Sequence, residues 1–108
     1  MLRKLAIEYF NSFSNKSISK IKKIISEDVT LHDWNISCSG KSEFIAATQS
    51  IFDSVETIDI KPTNIYCCKN IVIAELEILI NMSITELVVD IITFDKNNTI
   101  ASIRAYKC

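Results

Sequence analysis

The 108-residue chain has no surplus of basic charge: 12 Lys and Arg stand against 13 Asp and Glu, a net charge of -1. A nucleic-acid footprint needs a basic patch, so the balance argues against that class. Lys20, Lys22 and Lys23 form the only basic cluster, and they read as the solvated side of a helix. No uncharged apolar run approaches the roughly 20 residues that span a membrane. Met1-Leu2-Arg3-Lys4 leads into a segment with Glu8 and Asn11, unlike the apolar stretch of a signal peptide. There is one histidine, His32, and none of the four cysteines has zinc spacing or a histidine beside it. No metal or cofactor is expected. Cys38, Cys67, Cys68 and Cys108 read as free thiols of a cytoplasmic protein, with a disulfide as the alternative. The one proline, Pro62, marks its strand as bulged or at an edge. Without repeats or a low-complexity linker, residues 1–108 read as one domain.

What is present is a core. Apolar residues make up 48% of the chain, against 23% charged. Residues 2–13 place Leu2, Leu5, Ala6, Tyr9, Phe10 and Phe13 on one helical arc. Ser14-Asn15 breaks it. A second helix is predicted from about Ser17 to Glu27, with Ile18, Ile21, Ile24 and Ile25 on one stripe. Residues 29–34 alternate as a short strand, and Asn35–Gly40 reads as a loop. A third helix is predicted from about Lys41 to Ser54, with Phe44, Ile45, Thr48, Ile51, Phe52 and Val55 on its buried face. Residues 57–68, 71–81, 85–94 and 99–107 are β-rich and separated by short polar turns. Three helices followed by an antiparallel meander make an α+β pattern.

A half-exposed antiparallel sheet alternates apolar with polar. Here Leu87–Phe94 is apolar on both faces apart from Asp90, and Ile71–Ile80 is apolar at every even position and also at Ile71, Ile73 and Leu79. One face can cover the helices. The other, with Ile73 and Tyr106, needs its own cover, and a homodimer is the simplest.

Three polar groups stand against this apolar background. Tyr9 lies at the centre of the first helix's apolar arc, so its hydroxyl needs a partner. Asp33 shares a strand face with Val29 and Leu31, and Asp90 shares one with Val88, Ile92 and Phe94. Each has an ordinary reading: a packing tyrosine, an aspartate capping its loop, an aspartate paired across the sheet. Together they describe either a costly core or a pocket. His32 and Arg104 fall on the opposite, outward side, as do Glu75 and Glu77. Glu86 is in register with Asp90 but near a hairpin end, and reads as solvated. Trp34 reads as a rim aromatic or as a structural plug.

The stretch "IISEDVTLHDW", Gly40 opening the third helix, and "VVDIITFDKNNTIASIRAY" carry a resemblance over nearly the whole chain. They resemble the nuclear transport factor two-like superfamily, in its SnoaL-like and ketosteroid isomerase branch. The resemblance implies three helices in the concave face of a curved antiparallel sheet, a cone-shaped α+β barrel. It implies a tyrosine on the first helix, matched by Tyr9, and a general base ending the first strand, matched by Asp33, 24 residues later. It implies an aspartate in the penultimate strand, matched by Asp90. In that branch such a carboxylic acid stays neutral and donates a hydrogen bond. Asp33 is thus the expected base, and Tyr9 and Asp90 the expected oxyanion donors. Trp34, Phe13, Phe44, Thr48, Leu76 and Ile103 are the expected contacts to a small apolar ligand that carries a carbonyl.

The chain also departs from that pattern. Ile25 and Thr48 stand where supporting tyrosines are expected, Trp34 where a proline is, and Lys107 where a tryptophan lines the steroid site. The implied function is proton abstraction next to a carbonyl, giving isomerisation or cyclisation. The alternative is a ligand-binding or dimerisation module of the same fold. An epoxide-hydrolase-like relative would need an arginine bridging two carboxylates, and Arg104 has the wrong parity.

Overall fold

The computed structural model describes residues 1–108. Helix α1 spans Leu2–Ser14, α2 Ile18–Ile24 and α3 Lys41–Ser54. The strands are β1 (Ile25–His32), β2 (Ser37–Ser39), β3 (Ile58–Cys68), β4 (Ile71–Ile80), β5 (Ile84–Phe94) and β6 (Ile100–Lys107).

Two expectations change. The second helix stops at Ile24, because Ile25 pairs with Ile100 and the chain runs on as β1. Long-range pairing and the β preference of branched residues override the helical stripe here. The expected loop at residues 35–40 contains β2, which pairs antiparallel with Thr30–His32. Asp33 folds this hairpin: its Oδ1 accepts the N–H of Asn35 at 2.7 Å and of Ile36 at 2.6 Å.

The six strands form one sheet in the order β2-β1-β6-β5-β4-β3. The sheet is mixed, not wholly antiparallel, because β1 and β6 run parallel. It is curved but does not close into a barrel, since β2 and β3 remain as edges. The register of β3 shifts between Pro62 and Asn64, a bulge where proline cannot donate to the ladder. The β4–β5 turn uses two left-handed residues, Asn81 (φ 52°) and Met82 (φ 59°). The Asn81 side chain also accepts the N–H groups of Glu56 and Thr57, tying the turn to the end of α3.

Helix α1 lies on β3 and β4, and α3 on β1 and β2. Phe10, Phe44 and Phe94 fill the space between, with Ile21, Ile92 and Ile103. Phe13 meets Phe52 edge-on at 4.9 Å, locking α1 to α3. No helix is long and apolar enough to cross a membrane. All four cysteines are free, and Cys67, Cys68 and Cys108 are exposed. No cluster of three His, Cys, Asp or Glu is placed to hold a metal.

Candidate active site

A cavity of about 370 Å³ opens between the concave face of the sheet, α1 and the second half of α3. Tyr9, Asp33 and Asp90 all line it, each from a different element. Side-chain alternation places Asp90: Val88, Asp90, Ile92 and Phe94 all point inward. Its direct neighbours across the ladder are Ala74 on β4 and Ala105 on β6. Two methyl groups leave open space around the carboxyl, where larger side chains would close it.

Asp90 is 8% exposed and has no hydrogen-bond or ion-pair partner within the chain. Burial pushes its carboxyl up from 3.8 to about 7, and the nearby Asp33 charge adds to the shift. Tyr9 is also buried, and its hydroxyl makes no hydrogen bond within the chain. Burial, then the charge of Asp90, raises its pKa above the usual phenol range. Its ring packs against Phe10 and Phe13, at centroid distances of 5.8 and 6.0 Å, which fixes the direction of the hydroxyl. Asp33 is anchored differently. Its Oδ1 is held by the two amides of its own turn, and its Oδ2 accepts nothing from the chain.

Of the expected ligand contacts, Trp34, Phe13, Thr48, Leu76 and Ile103 are in the cavity wall. Phe44 is not. It is fully buried in the core, one helical turn before Thr48, and does not reach the cavity. Thr48 presents an apolar surface, because its hydroxyl donates to the Phe44 carbonyl at 2.9 Å.

Two charged residues stand at the rim: Lys107, where the resemblance expects a lining tryptophan, and Glu86, which reads as solvated in the sequence. Glu86 and Lys107 both line the cavity and form an ion pair. The Lys107 ammonium is also 5.7 Å from the centre of the Trp34 ring. The register of Glu86 with Asp90, and of Lys107 with Ile103 and Ala105, was the available signal. Arg104, by contrast, pairs with His32 and Ile91 on the outer face, and Arg3 donates to the Ile65 carbonyl. No arginine bridges the two aspartates. Trp34 and Lys107 also line a neighbouring cavity of about 310 Å³ with His32 and Tyr106.

No family model matches the chain, and no curated protein matches it in sequence. The likeness is one of shape. An NTF2-like protein of unknown function from Cytophaga hutchinsonii superposes with a TM-score of 0.84 at 16% identity, covering 100% of this chain and 90% of that one. A protein provisionally described as a SnoaL-like polyketide cyclase, from Shewanella denitrificans, gives 0.88 at 15% identity, covering 99% and 90%. A protein provisionally described as a ketosteroid isomerase, from Kribbella flavida, gives 0.84 at 12% identity, covering 99% and 77%. The chain therefore has the nuclear transport factor two-like fold shared by SnoaL-like and ketosteroid isomerase-like proteins.

Proposed function

We propose that this protein is an enzyme that abstracts a proton next to a carbonyl in a small apolar ligand. One observation carries the reading. Two carboxyl groups in one cavity have opposite surroundings, and a tyrosine hydroxyl without a partner joins them. Asp33 is held at one oxygen by backbone amides and leaves the other free to accept a proton. Asp90 is buried without a cation, which favours its neutral, donating form.

The chemistry follows from these roles. The free oxygen of Asp33 takes the proton from the carbon beside the carbonyl. The electron pair moves through the new carbon–carbon double bond onto the carbonyl oxygen. Tyr9 and neutral Asp90 donate hydrogen bonds to that developing oxyanion. In a β,γ-unsaturated ketone the intermediate is a dienolate, and return of the proton from Asp33 to the γ-carbon, with the double bond moving to the α,β position, is isomerisation. Attack of the carbanion on a second carbonyl of the same molecule is cyclisation. The four unbridged cysteines support a reducing, cytoplasmic setting for this reaction.

The test is exchange of ketone α-protons for solvent deuterium, followed by proton NMR. The wild type is expected to exchange them and Asp33→Asn to lose that activity. Tyr9→Phe and Asp90→Ala should each lower the rate by roughly 10²–10³-fold, the usual cost of one oxyanion donor. Ligand binding without exchange in the wild type would leave a binding module in place of an enzyme.

A further inference from the structure

The charged rim bears on what can enter the cavity. Its wall holds three carboxyl groups, Asp33, Glu86 and Asp90, and one basic group, Lys107. That one ammonium is already engaged on two sides, by the Glu86 carboxylate and by the Trp34 ring. Glu86 is the more enclosed of the pair, with 23% of its side chain exposed against 45% for Lys107. The three residues come from three elements: the turn after β1, the start of β5 and the end of β6.

We propose that Glu86 makes this cavity a filter against anions by occupying its only cation, so that the ligand is an uncharged carbonyl compound. This deepens, and rests on, the reading of the cavity as a carbonyl site. An anionic ligand at the rim meets the Asp33 charge and a Glu86–Lys107 pair that is already neutral, so no free cation is left to attract it. It gains Lys107 only by displacing Glu86, and that leaves a partly enclosed carboxylate unpaired. An uncharged ketone or ester meets neither cost. It enters an otherwise mainly apolar wall, where Ile51, Val55, Ile58, Ile78 and Ile80 receive its hydrocarbon body. The carboxylate that the oxyanion donors leave unused thus acts on specificity, rejecting a competitor by repulsion.

Calorimetric titration with two probes tests this: methyl nonyl ketone, and undecanoate at a pH well above its own pKa and below its aggregation concentration. The two have the same number of carbons and differ in charge. The wild type is expected to bind the ketone at least roughly tenfold more tightly. Glu86→Gln frees Lys107, so undecanoate should gain at least roughly tenfold relative to the ketone. Adding Lys107→Gln to that variant should remove the gain, which separates charge from shape. Undecanoate bound as tightly as the ketone by the wild type overturns the filter and leaves the carbonyl site standing. So does a folded Glu86→Gln protein with unchanged affinity for undecanoate. Neither probe binding to the wild type overturns both readings.

Discussion

Asp90 of β5 pairs with Ala105 of β6, so the carboxyl on the concave face has a methyl group for its neighbour. Ala74 does the same from β4. Ala105 also lines the cavity. The space beside the carboxyl therefore depends on a side chain that could be larger without breaking the strand. Ala105→Leu should fill that space and keep cooperative unfolding. Affinity for methyl nonyl ketone should fall at least roughly tenfold by calorimetry. Unchanged affinity would mean that the ligand does not reach Asp90.

The raised pKa of Asp90 sets the sign of a pH effect. In the unfolded chain the group titrates near 3.8, and in the folded protein near 7. Between these values the folded state binds the extra proton, so stability falls as pH rises from about 4 to 7. The loss is complete above the folded value and amounts to roughly 4 kcal/mol at most. Asp90→Asn removes this titration. Urea denaturation should show a flatter pH profile for the variant, and greater stability than the wild type near pH 8. The deuterium-exchange rate of the wild type should also fall as pH climbs through about 7, because the donating form of Asp90 is lost. The asparagine variant, which still donates, should lack that fall. A wild-type stability profile flat from pH 4 to 8 would remove Asp90 from the donor role.

Lys16 links two helices through an unusual backbone. It has φ 54° just after α1, and its ammonium donates to the carbonyls of Phe52 at 2.9 Å and Val55 at 2.6 Å. Phe52 is in the last turn of α3 and Val55 is its C-cap, where a cation is favoured and the oxygens lack helical partners. Thr48, Ile51 and Ser54 carry the cavity wall from this helix, and Val55 follows just after it. Lys16→Ala should cost about 1–2 kcal/mol in urea denaturation through the lost bonds. Lys16→Gly should cost less, because glycine accepts the left-handed conformation without strain. Equal losses in the two variants would show that backbone strain contributes nothing.

Local signals carried α3 and the four long strands. Gly40 opens the helix, and short polar turns separate strands of 8 to 11 residues. The ends of α2 and the presence of β2 depend on distant partners. Ile25 becomes a strand residue by pairing with Ile100, and Ser37–Ser39 by pairing with Thr30–His32. No local pattern reveals either. Parity was enough to aim Tyr9, Asp33 and Asp90 toward one interior. It could not separate the part of the α3 face that meets the cavity from the part that meets the core, so Phe44 was misplaced. Glu86 looks solvated alone, and nothing local pairs it with Lys107. Only the β5–β6 register, with Val88 opposite Lys107, brings them together.

The outer face of the sheet leads to the last prediction. One row of paired residues crosses five strands there: His32, Arg104, Ile91, Ile73 and Tyr66. The next rows add Tyr106, Val89 and Glu75, then Leu87 and Glu77. Tyr66, Leu87 and Tyr106 are each more than half exposed, at 55%, 52% and 55%. Arg104 stands on β6 and Glu75 and Glu77 on β4, with Lys61 of β3 across the ladder from Glu77. Arg104, Glu75 and Glu77 form no ion pair within the chain. We propose that this face pairs with its own copy. A two-fold axis that sets β6 of one protomer over β4 of its partner buries the apolar rows and brings Arg104 toward Glu75 and Glu77 of the other chain. A dimer is expected in sedimentation equilibrium at micromolar concentration. Arg104→Glu should weaken it at least roughly tenfold, and combining that change with Glu75→Arg and Glu77→Arg should restore it. Arg104 is on the face opposite the cavity, so ketone binding per protomer should be unchanged in these variants. A monomeric wild type at those concentrations, or a dimer indifferent to the charge reversal, would reject this arrangement of the interface.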